Sequence, residues 1–114
     1  SMDFYKLKLD KFTGYNGFNL PIDFHPQLSK NEKAEVFFLF VASIQDVIQA
    51  INLVQNKQKH KDNRAFFVFK KGNKSFGRDH VYNIIMKHRH FKRKAPMLAS
   101  LNKEYSVFCF MLEV

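Results

Sequence analysis

Along residues 4–9, Tyr5, Leu7 and Leu9 alternate with Lys6 and Lys8, and a period of two predicts a half-exposed strand. The following stretch, TGYNGFNLPIDFHPQLSKNEK, breaks that rhythm with two glycines, two prolines and scattered Asn, Asp and Ser. It predicts irregular chain with a short strand near 18–22. Residues 1–35 thus read as an irregular strand-and-loop region.

From Val36 the pattern sharpens. VFFLFVA is a continuous apolar run of strand formers, as expected where both faces of a strand are covered. In SIQDVIQAINLVQNK the period lengthens: Ile44, Val47, Ile48, Ile51 and Val54 recur at helical spacing, with Ser43 and Asp46 as a capping pair. RAFFVF, over 64–69, predicts a second buried strand. After a basic loop, Asp79 stands where a cap would open a helix bearing Val81, Ile84, Ile85 and His88, and Pro96 prevents its continuation. MLASL and YSVFCFML are strands separated only by NKE, a tight hairpin. The last strand is apolar throughout 107–112 and belongs inside a sheet, whereas the strand led by Pro96 suits an edge. Residues 36–114 therefore form a βαβαββ core, and the 114 residues form one α/β domain. The expectation is a mixed sheet of about five strands, two main helices and a C-terminal antiparallel hairpin. Helices should cover both faces of the sheet.

Over residues 36–114 this pattern resembles the C-terminal half of a Rossmann-type, S-adenosylmethionine-dependent methyltransferase. VFFLFVASIQDVIQAI, RAFFVFKKG, GRDHVYNII and APMLASLNKEYSVFCFML stand in the corresponding places. More narrowly, the chain is similar to small uncharacterised bacterial proteins that keep this half-fold and carry an RD helix start, as at Arg78 and Asp79. The resemblance implies a three-layer, half-Rossmann-like domain whose last strand inserts between the other two. It also implies that the methyl-transfer machinery is missing. A cofactor site of that type needs a glycine-rich loop and an acid for the ribose. The N-terminal region offers only Gly14 and Gly17, with no helix pattern after them. No cofactor is expected.

Charge changes the picture of partners rather than of fold. The chain carries +9, but thirteen Lys/Arg and only two acids fall between Lys57 and Lys94. That segment is net +11, and the remainder is net −2. Two dense runs, KQKHKDNR and KHRHFKRK, supply Lys57, Lys59, Lys61 and Arg64, then Lys87, Arg89, Lys92, Arg93 and Lys94. Clustered cations of this kind suit nucleic-acid phosphates. Both runs precede strands of parallel sense and so belong at the amino-terminal edge of the sheet, where they could share one patch.

The basic loop KKGNKSFGRDH sits at the opposite, carboxyl edge. Gly72 and Gly77 have P-loop spacing, but Arg78 and Asp79 replace the Lys and Ser/Thr that the motif requires. What remains is a small-anion contact through Lys71, Lys74 and Arg78. RAFFVF faintly echoes an RNA-recognition strand, yet its Phe residues read as core. His88 and His90 would point apart on a helix, and the single cysteine, Cys109, lies in an apolar strand as an inert thiol. No paired carboxylates or Ser/His/Asp ordering appears.

The leading expectation is thus a non-catalytic binding or interaction module for an anionic ligand. The alternatives are a nucleic-acid-binding protein and a degenerate methyltransferase-like enzyme. A homodimer formed through an exposed edge strand is a further partner expectation. No apolar stretch reaches the ~20 residues of a membrane span. The start lacks a signal-peptide core and Ser1 reads as an expression scar, so the expected location is cytoplasmic.

Overall fold

The computed structural model describes residues 2–57, 60–92 and 96–114. A six-stranded mixed sheet runs through it, with β1 Gly14–Phe18, β2 Ser29–Lys30, β3 Val36–Phe40, β4 Arg64–Lys70, β5 Met97–Ser100 and β6 Tyr105–Phe110. The spatial order is β2-β1-β3-β4-β6-β5. The first four strands are parallel, and β6 inserts antiparallel between β4 and β5. The hairpin and its edge strand therefore stand as expected. The sheet has six strands rather than about five, because part of the glycine-rich N-terminal region joins it.

Strict alternation of burial sorts the strands between two cores. Phe37, Leu39, Ala65, Phe67, Phe108 and Phe110 point to one face, together with the helices α1 Ile44–Gln55 and α2 Arg78–Met86. Val36, Phe38, Phe40, Phe66, Val68 and Val107 point to the other face. Phe66 and Phe67 are both fully buried, so RAFFVF is core and offers no stacking platform. Each such ring contributes about 1.5–3 kcal/mol by leaving water.

Both helices lie on the same face, contrary to the expectation of helical cover on both. The cause is topological. The two crossovers, β3 to β4 and β4 to β5, advance the same way across the sheet, so crossovers of one hand place their helices on one side. The third layer is irregular chain, in which Leu7, Phe12 and Phe24 pack onto the second core. Phe24 meets Phe4, Tyr15, Phe38 and Phe40 edge-on.

The segment predicted as a strand over 4–9 is a 3-10 turn, Tyr5–Leu7, closed by Lys8 in the left-handed region (φ 54°). Its burial follows Phe4 and Leu7, a spacing of three, while Tyr5 stands in solvent. The short strand expected near 18–22 lies earlier, at Gly14–Phe18.

From β2 the chain returns to β3 by passing over Gly14. A Cβ there would lie 3.1 Å from both the Asn31 Cβ and the Ser29 carbonyl oxygen. Buried Asn16 holds the return, its Nδ2 donating to the carbonyls of Glu32 and Ala34 at 3.3 Å each.

Ser43 caps α1 as expected, its Oγ accepting from the Asp46 N–H at 3.1 Å. The buried stripe is Val47, Ala50, Ile51 and Val54. Ile44 and Ile48 lie on the flank and remain about half exposed. Gly77, not Asp79, is the N-cap of α2, and the helix ends at Met86, two residues short of His88. β5 pairs with β6 alone among the described residues and leaves Met97 and Leu98 exposed at the sheet edge. No described helix is long and apolar enough to cross a membrane.

Candidate functional site

At the amino-terminal edge the two basic runs meet across one short segment, 111–113. Asn63, buried at 1% exposure, accepts from the Leu112 N–H through Oδ1 (2.7 Å) and donates to the Leu112 carbonyl through Nδ2 (3.3 Å). On the other side of that segment Phe91 bridges Leu112. The Lys92 N–H donates to the Met111 carbonyl (2.8 Å) and the Glu113 N–H to that of His90 (2.7 Å). Phe91 anchors this join in the core against Phe67 and Phe110. The sequence placed both runs at this edge; the carboxamide that ties them together was missed. Its only signal is an uncharged Asn at the last position before an apolar strand.

The cations along this edge are not equivalent. Lys61, Lys87 and Arg89 are exposed, and Lys57 and Lys92 are partly covered. Arg64 is committed elsewhere. It donates to Asp62 Oδ1 at 2.6 Å and to the Asn63 carbonyl at 2.7 Å, and its guanidinium lies 5.3 Å from the Phe12 ring centre. Lys11 closes the same cluster through Asp62. Hydrogen bonds from Lys11 and then Arg64 hold the Asp62 carboxyl below its usual range. Lys59, Arg93 and Lys94 lie outside the described residues.

A shallow, open hollow of about 360 Å³ sits beside this cluster, lined by Lys11, Phe12, Glu35, His60, Lys61 and Asp62. His60 Nε2 donates to the Lys33 carbonyl at 2.8 Å.

The carboxyl edge carries the loop between β4 and α2. A phosphate cradle needs backbone N–H groups that point at the ligand. Here Asn73 Oδ1 accepts from Ser75 N–H (3.0 Å) and Phe76 N–H (3.3 Å), and His80 Nδ1 accepts from Gly77 N–H (3.1 Å). The loop caps itself. Of its three candidate cations, Lys71 donates to Ser100 Oγ and the Asn102 carbonyl, both at 2.6 Å, and ties the loop to the hairpin. Arg78 lies 3.9 Å from Asp79, and Lys74 is exposed. The structure does not gather these three on one point.

Beside that loop, at the ends of β3 and β4, is a cavity of about 180 Å³ with an apolar floor. It occupies the position where ligands of open parallel sheets bind.

The chain matches no family model, no curated protein and no solved structure.

Gly14 and Gly17 are crowded by the protein's own atoms. Both lie inside β1 rather than in a loop, and residues 19–28 contain no helix. Gly14 accommodates the returning chain, and a Cβ on Gly17 would lie 2.2 Å from Leu20 Cδ1. The protein's own chain fills the room that these glycines create.

Among the described residues, no three His, Cys, Asp or Glu side chains gather as metal ligands. Cys109 packs partly buried against the second core, and desolvation pushes its thiol up to about 11.

Proposed function

We propose that this protein is a non-catalytic binding module whose ligand is a nucleic acid, held through its phosphates along the amino-terminal edge. The observation that carries the reading is the Asn63–Leu112–Phe91 junction. It brings Lys61, Lys87, Arg89 and Lys92 onto one edge of the sheet although they come from different turns of the chain. Cations gathered on one edge displace counterions from a phosphate backbone. The opposite edge supports a polyanion less well, since its loop amides and Lys71 already have internal partners.

Fluorescence anisotropy with labelled single- and double-stranded RNA and DNA tests this. Affinity should fall linearly with salt on logarithmic axes. Lys61→Ala or Arg89→Ala should each reduce the slope by about one unit and weaken all sequences alike. An absence of binding at low salt would refute the proposal.

A second reading, a remnant of a methyltransferase-like domain, draws support from the order β3-β4-β6-β5 with its inserted last strand. That order agrees with the resemblance over 36–114, while the self-filled space around Gly14 and Gly17 speaks for a fold without its cofactor. Strong, selective thermal stabilisation by S-adenosylmethionine would overturn the non-catalytic reading.

A further inference from the structure

The cavity at the carboxyl ends of β3 and β4 lies across the sheet from the basic edge and has a different chemistry. Its floor is made by Phe40, Val68 and Tyr105, with Pro21 on one wall. Phe40 and Tyr105 meet edge-on at 5.3 Å, so the floor is a fixed apolar surface. Two opposite charges complete the lining, Asp46 and Lys70. Asp46 is held in place because its Oδ2 accepts from the Ala42 N–H at 2.8 Å, which leaves Oδ1 for another donor. Lys70 is only loosely engaged, with its Nζ 3.5 Å from Glu104 Oε2 and most of its side chain in solvent. Asp46 lies in the first turn of α1 and Lys70 at the end of β4, and the two make no ion pair with each other among the described residues.

We propose that this cavity binds a free α-amino acid with a small apolar side chain. An apolar hole of about 150 Å³ holds benzene. The present cleft, about 180 Å³ and open to solvent, has comparable room for a short branched side chain with its head group at the mouth. The ammonium meets Asp46, and the carboxylate meets Lys70 on the same rim as the positive end of α1. A simple anion would face the fixed Asp46 carboxylate, and a simple cation would face Lys70. Only a zwitterion satisfies both. The site is independent of nucleic-acid binding at the opposite edge, and either can fail without the other.

Amide NMR titration of the labelled protein with L-valine and L-leucine tests the site. At millimolar concentration, at least one of the two should shift the signals of Ala42, Asp46 and Tyr105 and saturate. Isoamylamine and isocaproate, which are leucine without its carboxylate and without its amine, should each bind about tenfold or more weaker. Asp46→Asn keeps an oxygen for the Ala42 N–H. It should weaken leucine about tenfold while isocaproate, relieved of the facing carboxylate, binds more tightly than it does to the parent protein. Lys70→Met, on a solvated side chain, should weaken leucine and strengthen isoamylamine, which no longer faces a like charge. The proposal is overturned if neither amino acid perturbs the cavity, if either analogue equals leucine, or if both variants bind leucine like the parent protein.

Discussion

Asn63 holds Leu112 by both halves of its backbone, accepting from its N–H at 2.7 Å and donating to its carbonyl at 3.3 Å. A side-chain amide thereby does what a neighbouring strand would do, at a place where β4 has not yet begun. Leu112 in turn fixes Phe91 and the second basic run. Asn63→Ala leaves a buried N–H and a buried carbonyl without partners, at about 1–3 kcal/mol for each group left unsatisfied. The expected outcome is a loss of roughly 2–6 kcal/mol in urea unfolding. Asn63→Asp, which keeps the acceptor but loses the donor, should also destabilise. Wild-type stability in the alanine variant would mean that the junction is not held here.

Lys61 and Arg64 lie in the same basic run but should behave oppositely. Lys61 is exposed, while Arg64 is engaged by Asp62, the Asn63 carbonyl and the Phe12 ring. Lys61→Ala should lower the salt slope of nucleic-acid binding by about one unit at unchanged melting temperature. Arg64→Ala should lower the melting temperature and change the slope little, because its guanidinium is already engaged by Asp62 and the Asn63 carbonyl. Calorimetry and anisotropy on the same two variants separate the roles. An equal slope change in both would show that Arg64 leaves Asp62 to meet phosphate.

Two glycines test the crossing between β2 and β3 against an ordinary turn. At Gly14 an added Cβ meets the Asn31 Cβ and the Ser29 carbonyl oxygen, both at 3.1 Å. These atoms belong to chain that cannot move without disturbing β2. Overpacking of this kind costs about 1–3 kcal/mol. At Gly72 the space is empty, but φ is +74°, a conformation that costs a side chain roughly 1–2 kcal/mol. Gly14→Ala should therefore shift the signals of 29–34, whereas Gly72→Ala should weaken the fold without perturbing anything distant. Two-dimensional NMR of the two alanine variants distinguishes them.

How far these features were legible in the sequence depends on how local they are. The Ser43 cap, the apolar runs of β3, β4 and β6, and the Pro96-led edge strand each announce themselves within a few residues, and each stands where expected. Tyr5, Leu7 and Leu9 also have a strand-like alternation, but it is Phe4 that packs against the distant Phe24 and Phe38, Tyr5 stands in solvent, and a 3-10 turn forms instead. Gly14 reads as a loop residue because nothing nearby says that 29–34 will pass over it. Asn73 and His80 are the same kind of case. They supply the acceptors that a bound phosphate would have supplied, and only the folded loop shows them aimed at its own amides. Charge was legible as an amount and an edge, not as a division between free and committed cations.

The Asp62 cluster should make stability depend on pH in the acid range. Hydrogen bonds from Lys11 and then Arg64 put its folded-state pKa below the ordinary 3.8. Between those two values the unfolded chain binds the proton that the native chain refuses, so stability falls with falling pH. The contribution is fully present above 3.8 and disappears as the pH drops through the folded value. With half of the Asp62 side chain in solvent, it amounts to under about 1 kcal/mol and shrinks with added salt. Asp62→Asn should unfold less steeply with acid than the parent protein. Identical acid profiles at low salt would remove the cluster from the stability of this edge.

Cys109 gives the opposite sign at the alkaline end. Its thiol rises from 9.0 to about 11, chiefly because burial disfavours the thiolate, with the nearby Arg64 charge opposing. Between those values the unfolded chain has lost the proton and the native chain keeps it, so stability is fully present below 9.0 and declines as pH rises toward 11. Removing the thiol with Cys109→Ala should flatten this part of the stability profile, measured by urea unfolding across the window. Reactivity reports the same burial independently, since the thiolate is the nucleophile. Iodoacetamide should alkylate Cys109 slowly in the native protein at mildly alkaline pH and quickly once urea has unfolded it. Rapid native alkylation would place the thiol in solvent, and would loosen the packing assigned to β6 between β4 and β5.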